Sequence, residues 1–177
     1  RVMYKKYPKL IETMKNRYKV YNKYIDMCDN ASKKTINLLR FRHDVPWGKM
    51  IRHKLVADNN IVFGETKYCN DTLFSTLTAL YAKSVFADKT PFYCVTERND
   101  SLTKQMSIKS ELVRYEVMLK KNQILSRHNY VKYQVSVLHY LSVFLKSDIR
   151  IFLKAIYMAV KYKINPFYGL FNPLSRK

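Results

Sequence analysis

Apolar positions at the start of the chain recur every three or four residues: Met3, Tyr7, Leu10, Ile11, Met14, Tyr18, Tyr21, Ile25 and Cys28. Lys5, Lys9, Lys15, Lys19 and Lys23 fall largely between them, which is the period of an amphipathic helix. Pro8 favours a start within the first helical turn, where its missing N–H costs nothing, and Asp29-Asn30 reads as a stop. Ser32 is placed to cap a second helix running to about Phe41. From His43 the pattern changes. Asp44 to Gly48 reads as a turn, a Lys/Arg/His-rich stretch follows, and Asp58-Asn59-Asn60 reads as a loop. Ile61-Val62-Phe63 and Pro91 to Val95 are short apolar runs that suit two brief strands paired as a small β-hairpin.

Between those runs, Asp71 or Thr72 starts a helix through Ala87, with Leu73, Phe74, Leu77, Leu80, Tyr81, Val85 and Phe86 on its inner side. From Ser101 the pattern is helical again to Lys163, with one stripe at Ile108, Leu112, Tyr115, Met118 and Leu119 and a break at His128-Asn129. Tyr130 to Lys146 is apolar on most faces and predicts a central helix surrounded by others. Ser147 or Asp148 caps a last helix to about Tyr162, which Asn165-Pro166 ends. No repeat or composition shift marks a boundary, so residues 1–177 read as one compact, mainly α-helical domain of about five or six helices, with at most one small β-hairpin.

Composition supports that reading. The chain is 47% hydrophobic, enough for a buried core, and holds only 3 Gly and 5 Pro, which disfavours turn-rich β folds and glycine phosphate cradles. Its Lys/Asn/Tyr/Ile-rich usage is what an AT-rich genome encodes. The opening Arg1-Val2-Met3-Tyr4 lacks the apolar core of a signal peptide and fits an excised domain or processed product. The longest apolar stretch, Val135 to Leu145, is about half a membrane span. Cys28, Cys69 and Cys94 are odd in number and form no C-x-x-C, which suggests a reducing compartment and neither a disulfide framework nor a zinc site. The sequons at Asn30, Asn70 and Asn99 read as noise in an Asn-rich chain, where about one or two are expected by chance. An intracellular setting, nuclear, cytoplasmic or virion-associated, follows as an expectation.

Charge changes the picture most. Lys and Arg number 33 against 13 Asp and Glu, a formal net of +20. Self-repulsion of that size opposes a compact fold, and a polyanionic partner is the usual reason to retain it. Residues 1–60 carry fifteen cations and five acids, and residues 121–177 ten and one, flanking a near-neutral middle. Within the basic ends tyrosines interleave with cations: Tyr4-Lys5-Lys6-Tyr7, Arg17-Tyr18-Lys19, Tyr21-Asn22-Lys23-Tyr24, Tyr130-Val131-Lys132-Tyr133 and Lys161-Tyr162-Lys163. Cations there can neutralise phosphates while tyrosines stack on unpaired bases. The same tyrosines are also spaced as core residues.

The densest basic cluster, Arg40-Phe41-Arg42-His43 continuing to Lys49, Arg52, His53 and Lys54, offers planar guanidinium contacts to phosphate beside the sole tryptophan, Trp47. Candidate backbone-contacting residues are therefore Lys5, Lys6, Lys9, Lys15, Arg17, Lys19, Lys23, Arg40, Arg42, Lys49, Arg52, Lys54, Arg127, Lys132, Lys161 and Lys163. Catalysis gains little: no phosphate-loop, dinucleotide or serine-elbow motif occurs, and carboxylates are sparse where the cations are dense. Tyr7-Pro8-Lys9-Leu10 and Asn165-Pro166-Phe167 match short adaptor-binding peptides, but each abuts a helix rather than a flexible segment. The expectation is a non-catalytic, cofactor-free protein that binds the DNA or RNA backbone with little sequence specificity. The alternative is a structural assembly protein that binds acidic partners or its own copies. Attachment to a membrane ranks last.

Overall fold

The computed structural model describes residues 2–3, 25, 33–88, 90, 93–94 and 107–171. The helix expected over residues 8–28, with all its lysines, lies outside these apart from Ile25, which is helical. The secondary structure is mainly helical, as the periodicity predicts: α1 Lys33–Arg42, α2 His53–Asp58, α3 Asn70–Tyr81, α4 Ile108–Arg127, α5 Leu138–Ser147, α6 Ile149–Lys161 and a short α7 Tyr168–Phe171. The chain separates into two compact units, the first Arg1–Val62 with Phe74–Asn99 and the second Phe63–Leu73 with Asp100–Lys177. The division falls within α3, where the sequence shows no boundary.

The expected β-hairpin is replaced by something smaller. Strand β1 (Val2–Met3) pairs in parallel with β2 (Tyr93–Cys94), Val2 opposite Tyr93 and Met3 opposite Cys94. Ile61–Phe63 is not a strand because it closes α2. Ile61 N–H donates to Val56 O (3.0 Å) and Asn60 N–H to Ala57 O (3.2 Å), with Asn60 left-handed at φ 48°. That is a Schellman cap, and Ile61 serves as its apolar plug, 4% exposed.

In the first unit α1 and the end of α3 are tied by Arg40. Its Nε donates to Ala79 O at 3.0 Å, and its Nη2 donates to Ala79 O and to Ala82 O, the latter at 3.0 Å. Nη1 turns back to Asn37 Oδ1 at 3.3 Å. The guanidinium thus satisfies the carbonyls that a helix C-terminus leaves open, and α3 stops at Tyr81 rather than running to Ala87. Phe41 beside it is fully buried.

In the second unit α4 is the central helix, contrary to the expectation that Tyr130–Lys146 would be. Ser107 opens α4 with a capping box, Ser107 Oγ accepting from Ser110 N and Ser110 Oγ from Ser107 N. Tyr115, Val117, Met118, Leu119, Lys121, Asn122 and Leu125 are all buried, over an arc of about 200° around the helix. Asn122 also explains why residues 130–137 leave the helical path. Its Nδ2 donates to Val135 O and its Oδ1 accepts from Val135 N–H, both at 2.8 Å, while Gln134 Nε2 donates to Asn122 O at 3.0 Å. The side-chain amide pairs with extended backbone as a neighbouring strand would, so the segment is a 3-10 turn (Val131–Tyr133) followed by an extended stretch. Only then does α5 begin.

Around α4 lies a core of Tyr115, Met118, Leu119, Val137, Leu141, Phe144, Ala155, Ala159 and Ile164, drawn from α4, α5, α6 and the segments beside them. Tyr115 meets Phe144 edge-on, ring centroids 5.5 Å apart, and its hydroxyl donates to Ala155 O at 3.0 Å. Burial pushes that phenol up to about 12. Asp148, the one acid in residues 121–177, makes the corner between α5 and α6: its N–H donates to Phe144 O and its carboxylate accepts from Arg150 N–H. The sequence predicts this cap and the break at His128-Asn129 correctly. Gly169 in α7 packs so tightly on Ser136 that an added Cβ would lie 2.1 Å from Ser136 Oγ.

Candidate nucleic-acid interface

The basic candidates fall into two groups. In the first unit, the Arg40–Lys54 cluster is turned largely inward. Arg40 binds the carbonyls at the end of α3, Arg42 is buried at 7% exposure, and Lys49 Nζ donates to His43 O. His43 is buried, and desolvation, with the Lys49 cation second, lowers its pKa to about 4, so it is neutral at pH 7. Trp47 meets the His43 ring edge-on at 6.5 Å, and the turn closes with Lys49 N–H donating to Pro46 O at 3.0 Å. Gly48 sits where a Cβ would approach His43 Cε1 to 2.9 Å. Only Arg52, His53 and Lys54 of this cluster are exposed, and Lys54 pairs with Asp58 at 3.3 Å. Lys5, Lys6, Lys9, Lys15, Arg17, Lys19 and Lys23 lie outside the described residues.

In the second unit the picture reverses. Arg127, Lys132, Lys161 and Lys163 are all exposed. Arg127 and Lys163 converge on an open cleft of about 300 Å³ lined also by Gln123, Ser126, Tyr162 and Ile164. The last turn of α4 and the C-terminal cap of α6 build it. Gln123 Nε2 donates to Tyr162 O at 2.9 Å, bracing the two together. Tyr162 donates its hydroxyl to Glu116 Oε1 at 2.8 Å, and Glu116 also pairs with Lys120 at 3.0 Å. These two hydrogen bonds hold the Glu116 carboxyl below its ordinary range. The cations Arg127 and Lys163 sit at helix C-termini, where they also offset the negative end of each dipole. An anion in this cleft would meet Arg127, Lys163 and the Ser126 hydroxyl.

Several exposed cations escape the sequence-based selection, Lys146, Arg150 and Lys154 among them. Arg150 and Lys154 are exposed on α6 and lie on the same side of it as Lys161. Their signal was present as a spacing of four and seven residues, hidden because α6 is apolar around most of its circumference. Among the described residues no three His, Cys, Asp or Glu side chains group as a metal site, and no helix is long and apolar enough to cross a membrane. Comparison with known protein families, curated proteins and solved structures returns no match to this chain.

Proposed function

We propose that the protein is a non-catalytic, electrostatically driven nucleic-acid-binding protein of packaging or architectural type with low sequence specificity. The observation that carries this reading is the +20 net charge, concentrated at both ends of the chain, together with the solvent-facing Arg127, Lys132, Lys161 and Lys163. Each cation that displaces counterions from a phosphate adds salt-dependent affinity without reading a base.

The test is fluorescence anisotropy of labelled single-stranded and duplex oligonucleotides across a salt series. Binding at ~1 μM or tighter near physiological salt is expected, with log affinity falling linearly in log salt by roughly 0.9 per phosphate neutralised on duplex. Replacing Arg127, Lys132 and Lys163 together by Glu should flatten that slope and weaken all sequences alike. Unchanged anisotropy on both strands at low salt would end the proposal.

A further inference from the structure

Helix α6 has an outer half whose two sides differ. At 100° per residue, Ile149, Leu153, Tyr157 and Val160 fall within an arc of about 80°, and Arg150, Lys154 and Lys161 within the next 60° or so. The core-facing Ala155 and Ala159 lie on the opposite side, both fully buried. The apolar strip is open to solvent: Ile149 is 55% exposed, Leu153 59%, Tyr157 68% and Val160 66%. Scattered apolar side chains on a surface need no explanation, but four aligned along one helix do. The strip repeats at four, four and three residues, which is the ridge that packs into the groove of a facing helix. The cationic strip runs along one flank only; the other flank is Phe152 and Ile156, half-buried against the core.

We propose that this face of α6 docks an acidic amphipathic helix of a protein partner. Its apolar residues would lie on Ile149, Leu153, Tyr157 and Val160, and its carboxylates along Arg150, Lys154 and Lys161. Charge decides the occupant. No ion pair at Arg150, Lys154 or Lys161 exists among the described residues, and Asp148 is committed to the helix cap. A second copy of this chain brings the same positive strip and a net +20, and the first sixty residues of the chain are of the same sign. A phosphate backbone has nothing to set against four apolar side chains. An anionic bilayer suits an apolar face bordered by cations on both flanks, which α6 does not have. Flanking charge beside an apolar seam is how paired helices select their partners. This inference shares Lys161 alone with the nucleic-acid reading and does not rest on it.

The experiment titrates the full chain into a fluorescein-labelled synthetic helix with leucines at its a and d positions and glutamates at e and g. A scrambled peptide of identical composition and vesicles of mixed phosphatidylcholine and phosphatidylserine are run beside it. The patterned peptide should bind at least about tenfold tighter than the scrambled one. Leu153→Ser with Val160→Ser should abolish that difference while leaving oligonucleotide binding unchanged. Tyr157→Ser, a milder and separate change on the same strip, should reduce it. Equal binding of the two peptides means charge alone and overturns the proposal, as does a patterned preference that survives these substitutions. Vesicle binding that depends on Leu153 and Val160, without peptide selectivity, assigns the face to lipid instead and overturns it equally.

Discussion

The Arg40–Lys54 segment and helix α6 are both rich in cations and aromatic residues, yet they use their charges in opposite ways. In the first, charge is spent inside: Arg40 caps α3, Arg42 is buried and Lys49 binds the His43 carbonyl. In the second, Arg150, Lys154 and Lys161 face water, because one acid, Asp148, serves the whole region and serves it as a cap. Density of cations along a sequence therefore says little about their availability. Availability depends on whether unsatisfied carbonyls lie within reach of the guanidinium. A helix end such as that of α3 supplies such carbonyls, and the middle of a regular helix does not.

The largest effect expected from this contrast is on stability. Arg40→Met should destabilise the protein by about 3 to 5 kcal/mol, since several charge-assisted bonds to carbonyls are lost and those carbonyls stay half-buried. Arg150→Met and Lys154→Met should each change it by less than about 0.5 kcal/mol. Urea denaturation of the three variants measures this directly. Similar losses at all three positions would erase the distinction between inward and outward cations.

Next comes Asn122, which marks the border of what the sequence makes legible. Asn122→Leu should cost about 3 to 4 kcal/mol, because Val135 N–H and C=O are buried and would both lose their partner. A loss below about 1 kcal/mol in urea denaturation would mean that the extended stretch holds itself without the amide. Helix type and several ends are readable from local chemistry: the Asp148 cap, the His128-Asn129 break and the end near Tyr162 all depend on neighbouring residues. The path of residues 130–137 depends on an amide eight or more residues earlier, and the end of α3 on an arginine 39 residues before Ala79. Periodicity carries no trace of either. For the same reason Tyr130–Lys146 looks like a central helix while the buried polar side chains of α4, Lys121 and Asn122 among them, look like surface. The candidate site divides likewise: the net charge was readable, but which cations reach solvent was not.

His43 allows the inward-facing cluster to be probed by pH alone. Burial lowers its pKa from 6.5 to about 4, so protonation favours the unfolded chain. Its contribution is complete above pH 6.5 and is lost as pH falls toward 4, by up to about 3 kcal/mol. Denaturation midpoints of the wild type and of His43→Gln, compared near neutrality and near pH 4.5, should converge as acidity rises. Parallel pH dependences in the two proteins would show that His43 titrates as freely as an exposed imidazole.

The smallest effect concerns Lys163, where structure and charge pull in opposite directions. Asn60, Asn129 and Lys163 each adopt a left-handed conformation at the end of a helix, at φ 48°, 64° and 57°. Each is followed by a 6→1 bond: Ile61 to Val56, Tyr130 to Leu125 and Ile164 to Ala159. Asn tolerates that conformation, but Lys carries a Cβ that meets the following backbone, at roughly 1 to 2 kcal/mol. A chain with only 3 glycines has placed none at these caps. Lys163→Gly should therefore raise stability by about 1 kcal/mol, offset in part by the greater freedom of glycine when unfolded. If Lys163 contacts phosphate from the cleft it shares with Arg127, the same change should lower the salt slope of oligonucleotide binding by roughly one. A variant that is more stable yet binds less steeply would identify Lys163 as a cation kept for its charge at a cost to the fold. A less stable Lys163→Gly, read by the same denaturation, would place its side chain with Arg40 and Lys49, among the cations that hold the protein together.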